Sequence, residues 1–333
     1  MSYFKIINLE FLIIFSLILL INILIINYRY KIAQYFKIID KPDNRKIHKV
    51  PTPLTGGIGY FLTLLILLFY IFLNNQINIE KFLSLICIYS TFFFIGFFDD
   101  IKTLSAKIRS FLIISSLIIL IIFDQELVLH NLNFNSFNSV YNLNYLSSFL
   151  FTIFCIFALY NALNFIDGYN GSAISIILFW SVYLFIKNPN IVYLTIILIS
   201  FLIFLYNVSG KLFLGNSGVS LISIFFALSV IIEHNTGIIY ADEVLLILLF
   251  PGLDMIRVTA QRLFNKKKIY NPDKTHFHHY LISSKLKNVW QIILILTIFP
   301  IILFNFIEDL IIILCISIMI YICIFAYIKK NHP

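Results

Sequence analysis

The stretch that decides the fold is FFFIGFFDD, residues 92–100, an almost wholly apolar run that ends in two adjacent carboxylates. An aspartate at the end of a membrane helix is costly unless it is hydrated or paired. Two neighbouring carboxylates also repel each other, which raises the pKa of one of them unless a cation holds both ionised. Asp99 and Asp100 are therefore either a solvated helix end or a site of divalent-cation or phosphate chemistry at the membrane face.

The composition places this stretch in a membrane protein. The chain has 333 residues, of which 60% are hydrophobic and 12% charged, and its mean hydropathy is +0.95. These values exclude a soluble globular chain. The apolar runs are long enough to cross a bilayer as helices. We predict an all-α, polytopic integral membrane protein with about eleven spans, at approximately 10–27, 56–73, 82–98, 110–123, 147–163, 171–187, 191–207, 218–233, 243–256, 289–306 and 309–328.

The distribution of basic residues predicts the orientation of these spans. Of the 24 Lys and Arg residues, all but Lys5, Lys81 and Lys187 fall in the loops after odd-numbered spans or in the C-terminal tail. Because basic residues concentrate on the cytoplasmic side, the N-terminus is expected outside and the C-terminus in the cytoplasm. The formal net charge of +8 is then explained by topology, and no nucleic-acid partner is expected.

The polar clusters all fall on the side predicted to be cytoplasmic. We expect a single membrane-embedded domain over residues 1–333, with active-site loops at 28–55, 99–109, 164–171, 208–217 and 257–288. A transporter would instead bury charge near the bilayer midplane and show repeated halves. The one-sided arrangement favours a membrane-face enzyme that joins a phosphorylated cytoplasmic substrate to a lipid.

Besides Asp99 and Asp100, two of these clusters carry the residue types that such chemistry needs. Asn161, Asn164 and Asp167 recur every third residue, which places them on roughly one helix face. Hydrogen bonding between helices could explain the amides, but it explains the acid and the adjacent glycines poorly. In the last large loop, His276, His278 and the neighbouring His279 lie on a basic segment, which favours phosphate binding over a zinc site because no cysteine accompanies them.

Several ordered motifs together carry a family resemblance. They are Arg45-Lys46-x-His48 with Pro53-x-x-Gly56-Gly57, Gly96-x-x-Asp99-Asp100, Asn161-x-x-Asn164-x-x-Asp167-Gly168-x-x-Gly171, and His276-x-His278-His279. In this combination the chain resembles the polyprenyl-phosphate N-acetylhexosamine-1-phosphate transferases (glycosyltransferase family 4) over residues 40 to 280. The histidine motif looks more like the N-acetylglucosamine branch than the muramoyl-pentapeptide branch.

The resemblance implies a reaction and a set of substrates. The enzyme would transfer a sugar-1-phosphate from a UDP-N-acetylhexosamine to undecaprenyl phosphate, release UMP and start a cell-surface polysaccharide such as O-antigen. Its cofactor would be Mg²⁺, or Mn²⁺ in its place. It would sit among the lipids of the bacterial cytoplasmic (inner) membrane as a multi-pass protein, and it could form a homodimer.

The resemblance also implies residue roles. One of Asp99 and Asp100 would orient or deprotonate the lipid phosphate while the other lies near the metal. The remaining metal positions would be Asp167 and Asn216. The nucleotide sugar would be bound by Asn161, Asn164, Asp167, Lys46 and His48, and the phosphates by Lys107, His276, His278 and His279.

One departure from the family pattern leaves a second hypothesis open. Family members commonly have Gly-Asp-x-Gly-Ser where this chain has Gly215-Asn216-Ser217-Gly218-Val219, so a neutral amide replaces a metal-binding carboxylate. The alternative function is therefore a catalytically weakened homologue that binds lipid phosphate or nucleotide sugar.

Overall fold

The computed structural model describes residues 9–42, 48, 50–266, 275–284, 288–307 and 309–330. Almost all of its regular structure is helical, as predicted. The helices are α1 (Leu9–Asn27), α2 (Arg29–Phe36), α3 (Gly56–Leu73), α4 (Ile79–Ile101), α5 (Ala106–Phe123), α6 (Tyr145–Ile166), α7 (Ser172–Lys187), α8 (Ile191–Val208), α9 (Gly215–Asn235), α10 (Ala241–Ile247), α11 (Leu249–Phe264), α12 (Phe277–Ser283), α13 (Val289–Phe304) and α14 (Leu310–Lys330).

The helices are those of a polytopic membrane protein. Within the described residues, eight are long and apolar enough to cross a membrane: α1, α3, α4, α5, α6, α8, α9 and α14. Helices α7 and α13 are apolar but have only 16 residues each. The predicted span 243–256 is divided at Leu248 into α10 and α11. Pro251 explains the break, because it has no N–H to continue the first helix but is tolerated in the first turn of the second.

Helix α9 is the centre of the bundle. In its most apolar window, 89% of residues are buried inside the protein, against 22–50% for the other seven candidate spans. It packs against α3, α4 and α6. Serines such as Ser220 and Ser223 recur along its buried length, and small residues of this kind let membrane helices approach closely.

Glycines fix how closely α9 meets its neighbours at one end. A Cβ atom on Gly96 of α4 would overlap the backbone carbonyl of Asn216, and one on Gly57 of α3 would overlap the backbone nitrogen of Gly218. These contacts are with backbone atoms, which cannot move aside as a flexible side chain could. The C-terminal end of α4 and the N-terminal ends of α3 and α9 are thereby held together.

Two short antiparallel hairpins complete the fold. Strand β1 (Ile39–Asp40) pairs with β2 (Thr52–Pro53) beside the start of α3. Strand β3 (Asn131–Phe134) pairs with β4 (Ser139–Asn142) at the opposite end of the bundle. There the buried Asp242 accepts hydrogen bonds from the backbone of Asn135 and Ser136, which anchors the hairpin to α10.

Candidate active site

Asp100 binds the N-terminus of the central helix. One of its carboxylate oxygens lies 2.7 Å from the backbone nitrogen of Asn216. The other lies 3.0 Å from the backbone nitrogen of Ser217 and 2.7 Å from its hydroxyl. The first N–H groups of a helix have no partner within the helix and carry a partial positive charge, which a carboxylate satisfies well. Asp100 therefore ties the end of α4 to the start of α9.

Asp99 has different partners although it is the next residue. It is 4% exposed, and one oxygen pairs with the Arg109 guanidinium at 2.8 Å. The other accepts the backbone N–H of Leu104 at 2.6 Å. The turn between α4 and α5 thus closes around this carboxylate, and the guanidinium of Arg109 is held at the membrane face.

Asp167 lies in the turn after α6, next to these groups. Burial raises the pKa of Asp167 to about 8, and the negative charges of Asp100 and then Asp40 add to the rise. In the described part of the chain, no hydrogen bond or ion pair to its carboxylate is found. An unpartnered carboxylate beside a second one is an electrostatic cost that a cation would relieve.

Asp100 and Asp167 fit a Mg²⁺ ion that takes its remaining ligands from a substrate and from water. Asn216 follows Gly215, whose φ of 73° and contact with the Asp100 carboxylate exclude a side chain there. Among the described residues, no three His, Cys, Asp or Glu side chains are arranged to hold a metal by themselves. Mg²⁺ commonly takes one or two carboxylates and completes its shell with phosphates and water. Asp100 and Asp167 are a carboxylate pair of that kind, and the backbone of Asn216 lies against Asp100.

The histidine segment approaches the Asp167 turn from another side. His278, which is 3% exposed, fills the space that a Cβ atom on Gly168 would need. Burial and the neighbouring His279, His276 and Arg257 lower the pKa of His278 well below its ordinary value, so the ring is neutral near pH 7. The rings of His276 and His278 stack 5.6 Å apart, and His276 lies against Phe165. The structure therefore brings the three histidines of the motif together beside the Asp167–Gly168 turn.

The other predicted site residues have varied surroundings. Asn161 donates its amide to the carbonyl of Phe157 at 2.7 Å, within its own helix. The buried amide nitrogen of Asn164 has no hydrogen-bond partner among the described residues. His48 bonds to Asp40 at 2.8 Å, which places it beside the acidic group. Lys107 is exposed in the first turn of α5, and Lys46 lies outside the described residues.

Sequence reasoning assigned no role to several residues that the structure places here. Arg109 and Ser217 contact the two aspartates directly, and Asp40 lies close enough to Asp167 to affect its pKa. The sequence does contain a signal for Arg109, which is one of three cations within ten residues of Asp99–Asp100. Ser217 carried no comparable signal, since its contact joins residues 117 positions apart.

Acids, amides and histidines thus meet at one end of an apolar bundle, an arrangement typical of membrane-embedded enzymes of phosphate chemistry. The profile of glycosyl transferase family 4 matches residues 82–234, which include Asp99, Asp100, Asp167 and Asn216. This match agrees with the family resemblance that the motifs predicted. Similar curated proteins carry names of 1-phosphate transferases.

Curated relatives extend the similarity beyond the matched domain. The chain is similar to the undecaprenyl-phosphate alpha-N-acetylglucosaminyl 1-phosphate transferase of Thermotoga maritima, with 28% identity over 82% of this chain and 81% of the relative. The protein of that name from Escherichia coli K12 is 27% identical over 80% of this chain and 75% of the relative. The protein of that name from Yersinia pestis is 26% identical over 76% of this chain and 72% of the relative.

Proposed function

We propose that the protein transfers N-acetylhexosamine-1-phosphate from a UDP-sugar to undecaprenyl phosphate and releases UMP. The observation that carries this proposal is the meeting of Asp100, Asp167 and His278 at the start of α9. A phosphoryl transfer needs little covalent chemistry from the protein, but it needs positioned reactants and neutralised oxygen charge. Two carboxylates for a cation and a histidine cluster for a diphosphate provide both.

The contacts of each residue support a division of roles. Asp100, Asp167 and Asn216 would hold Mg²⁺, which when bound would neutralise the diphosphate oxygens. Asp99 holds the Arg109 guanidinium at the edge of the site, where its remaining N–H groups can bind the lipid phosphate. His276, His278 and His279, together with Lys107, would bind the donor phosphates. Asn161, Asn164, Lys46 and His48 would contact the nucleotide sugar.

The orientation of the chain follows from its charge. We propose that the site faces the cytoplasm, that the N-terminus lies outside, and that α10 with α11 forms the ninth of eleven spans. The positive-inside distribution supports this arrangement, and the bacterial inner membrane is where undecaprenyl phosphate would meet a cytoplasmic UDP-sugar. The product would start a surface polysaccharide such as O-antigen. The names of the relatives support N-acetylglucosamine as the sugar.

A donor screen tests the proposed reaction. Purified protein in nanodiscs would receive undecaprenyl phosphate, Mg²⁺ and one of UDP-GlcNAc, UDP-GalNAc or a UDP-linked 6-deoxy amino sugar, and UMP would be measured. We expect UMP release with at least one donor, only when the lipid is present, and none from Asp99→Asn. Absence of UMP with every donor would contradict the proposal.

Asn216 supports a second candidate function, a weakened homologue that binds lipid phosphate or nucleotide sugar. Its amide oxygen is a weaker metal ligand than the carboxylate that family members commonly carry there. Replacing Asn216 by Asp separates the two functions. A large gain in turnover would favour the weakened homologue, whereas an unchanged turnover would mean that the amide is native to an active enzyme.

A further inference from the structure

A buried ion pair on α11 lies behind the histidine segment. Asp254 is 2% exposed and accepts the Arg257 guanidinium at 2.6 Å. The same carboxylate oxygen lies 3.2 Å from the hydroxyl of Tyr321 on α14. Tyr321 in turn lies 2.8 Å from the Nε of Arg257. These three side chains therefore form one closed network between two helices.

The network reaches the histidines through the backbone. The second oxygen of Asp254 accepts the backbone N–H of Phe277 at 3.4 Å, and it lies 3.9 Å from Nδ1 of His276. Arg257 donates to the backbone carbonyl of Thr275 at 2.7 Å. Asp254 as an acceptor and Arg257 as a donor thus both bind the backbone at the start of α12. The start of α12 is also the start of the histidine motif.

Aromatic packing fixes α12 in the same place. The ring of Phe277 lies against those of Phe250 and Tyr321, with centroids 5.4 Å away in each case. The Arg257 guanidinium lies 4.3 Å from the ring centroid of Phe325. With its first turn held by hydrogen bonds and one face held by rings, α12 has little freedom to slide along α11.

The burial of this charged network costs free energy that a purely structural role does not require. Removing two charges from water costs free energy that their attraction repays only with good geometry, and apolar residues of similar size are often at least as stable. Here the charges are aimed at the backbone of Thr275 and Phe277 rather than only at each other. Their arrangement is explained if the position of the following histidines matters.

We propose that Asp254, with Arg257 and Tyr321, is a positioning residue that sets the distance between the histidine motif and the Asp167–Gly168 turn. This inference rests on the proposed function, in which the histidines bind the donor diphosphate. Asp254 itself touches no reacting group. Its loss would let α12 move away, so that donor binding suffers while the lipid-phosphate side of the site is preserved.

The first test is kinetic. In Asp254→Asn we expect kcat/KM for the UDP-sugar to fall about 10- to 100-fold, mainly through KM, because a small displacement of binding groups has effects of this size. The KM for undecaprenyl phosphate should change less than about 2-fold, since that substrate is bound elsewhere. Tyr321→Phe, which keeps the ring and removes only the hydroxyl, should give a smaller change in the same direction.

The second test does not depend on catalysis. The substrate-free protein would be treated with diethyl pyrocarbonate, and modification of each histidine would be followed by peptide mass spectrometry. In Asp254→Asn and Tyr321→Phe, we expect His276 and His278 to react several-fold faster than in wild type. The exposed His130 and the buried His234 at the opposite end should react at unchanged rates.

Matched controls come from the opposite end of the bundle. Asp242 is a buried carboxylate with three hydrogen bonds, and Tyr183 donates its hydroxyl to the buried Glu243 at 2.8 Å. Asp242→Asn and Tyr183→Phe remove the same groups far from the histidine motif, and they should leave the reactivity of His276 and His278 and the donor KM unchanged. Equal effects in controls and test variants, or unchanged His276 and His278 reactivity in folded Asp254→Asn and Tyr321→Phe, would overturn the inference. Because histidine reactivity needs no turnover, it tests the positioning even if the proposed reaction fails.

Discussion

One carboxylate oxygen of Asp100 accepts two hydrogen bonds from Ser217, from its backbone nitrogen at 3.0 Å and from its hydroxyl at 2.7 Å. The contact joins the last turn of α4 to the first turn of α9. It orients the carboxylate beside Asn216 and Asp167, because the partially positive helix end fixes both oxygens. The same contact therefore serves the packing of the bundle and the geometry of the site.

Removing the hydroxyl of Ser217 should have a modest effect. In Ser217→Ala, Asp100 keeps both backbone N–H donors, so the loss is one hydrogen bond to a charged group, about 1.5–3 kcal/mol. We expect a small decrease in thermal stability in detergent and a decrease in kcat of less than about 10-fold. Asp100→Asn removes the charge as well and should abolish UMP release. Equal activities of the two variants would contradict a role of the Asp100 charge in the reaction.

Variants of Arg109 and Asp99 distinguish an effect on folding stability from an effect on the reaction. Arg109→Ala leaves the buried Asp99 carboxylate without its ion partner, a defect that typically costs about 3–5 kcal/mol. We expect this variant to unfold at markedly lower temperature. The double variant Asp99→Asn/Arg109→Gln has no unpaired charge, so it should recover much of that stability and remain inactive. Recovery of both stability and activity would show that Asp99 is only the partner of Arg109.

The glycines at the helix crossing should be intolerant of any side chain. Gly96→Ala places a methyl group on the backbone carbonyl of Asn216, so α4 and α9 must separate and Asp100 must lose its contacts. We expect loss of activity and a large decrease in thermal stability. Gly252→Ala is the matched control, because a Cβ atom there has no neighbour within 4 Å. It should be neutral or stabilising by about 1 kcal/mol, since alanine favours a helix over glycine.

The raised pKa of Asp167 determines whether its contribution to stability rises or falls with pH. Between the ordinary carboxyl pKa of 3.8 and the folded value of about 8, the folded state binds a proton that the unfolded state lacks. Stability without metal should therefore fall as pH rises through this window. Asp167→Asn removes this dependence, so it should match wild type near pH 4 and be more stable near pH 8. The comparison uses thermal unfolding in the presence of EDTA, and addition of Mg²⁺ at pH 8 should stabilise wild type selectively.

Asn216→Asp should change the Mg²⁺ requirement. A third carboxylate beside Asp100 and Asp167 increases repulsion in the metal-free protein and attraction for a cation. We expect a lower Mg²⁺ concentration for half-maximal UMP release and a lower thermal stability in EDTA. Asn216→Ala, which supplies no oxygen ligand, is the control and should need more Mg²⁺ than wild type. An identical Mg²⁺ dependence in all three proteins would exclude residue 216 from the metal site.

The sequence predicted the parts of the fold that depend on local pattern. Each predicted span coincides with described helix because long apolar runs have few alternatives in a bilayer. It did not predict the division at Leu248, where Pro251 fits the first turn of a new helix as well as a loop. It also missed the β3–β4 hairpin, whose anchor, Asp242, lies more than 100 residues away.

In the candidate site, too, the sequence predicts residues with a local signal but not the contacts between distant residues. Asp99, Asp100 and Asp167 are visible in the sequence because acids at the ends of apolar runs are unusual and costly. Tyr321 has no such signal, because it lies within an apolar helix and its partner Asp254 is 67 positions away. Which oxygen of each aspartate is already bonded also depends on contacts between helices, so no pattern within one segment could predict it.

The most direct test of the proposed reaction follows the phosphorus atom itself. UDP-GlcNAc labelled with ³²P at the β-phosphate, the donor whose sugar the relatives' names indicate, would be incubated with undecaprenyl phosphate, Mg²⁺ and the protein in nanodiscs. If sugar-1-phosphate is transferred, the label enters the butanol-extractable lipid in step with unlabelled UMP. Label that remains in UDP, or that appears as free GlcNAc-1-phosphate, would contradict the account.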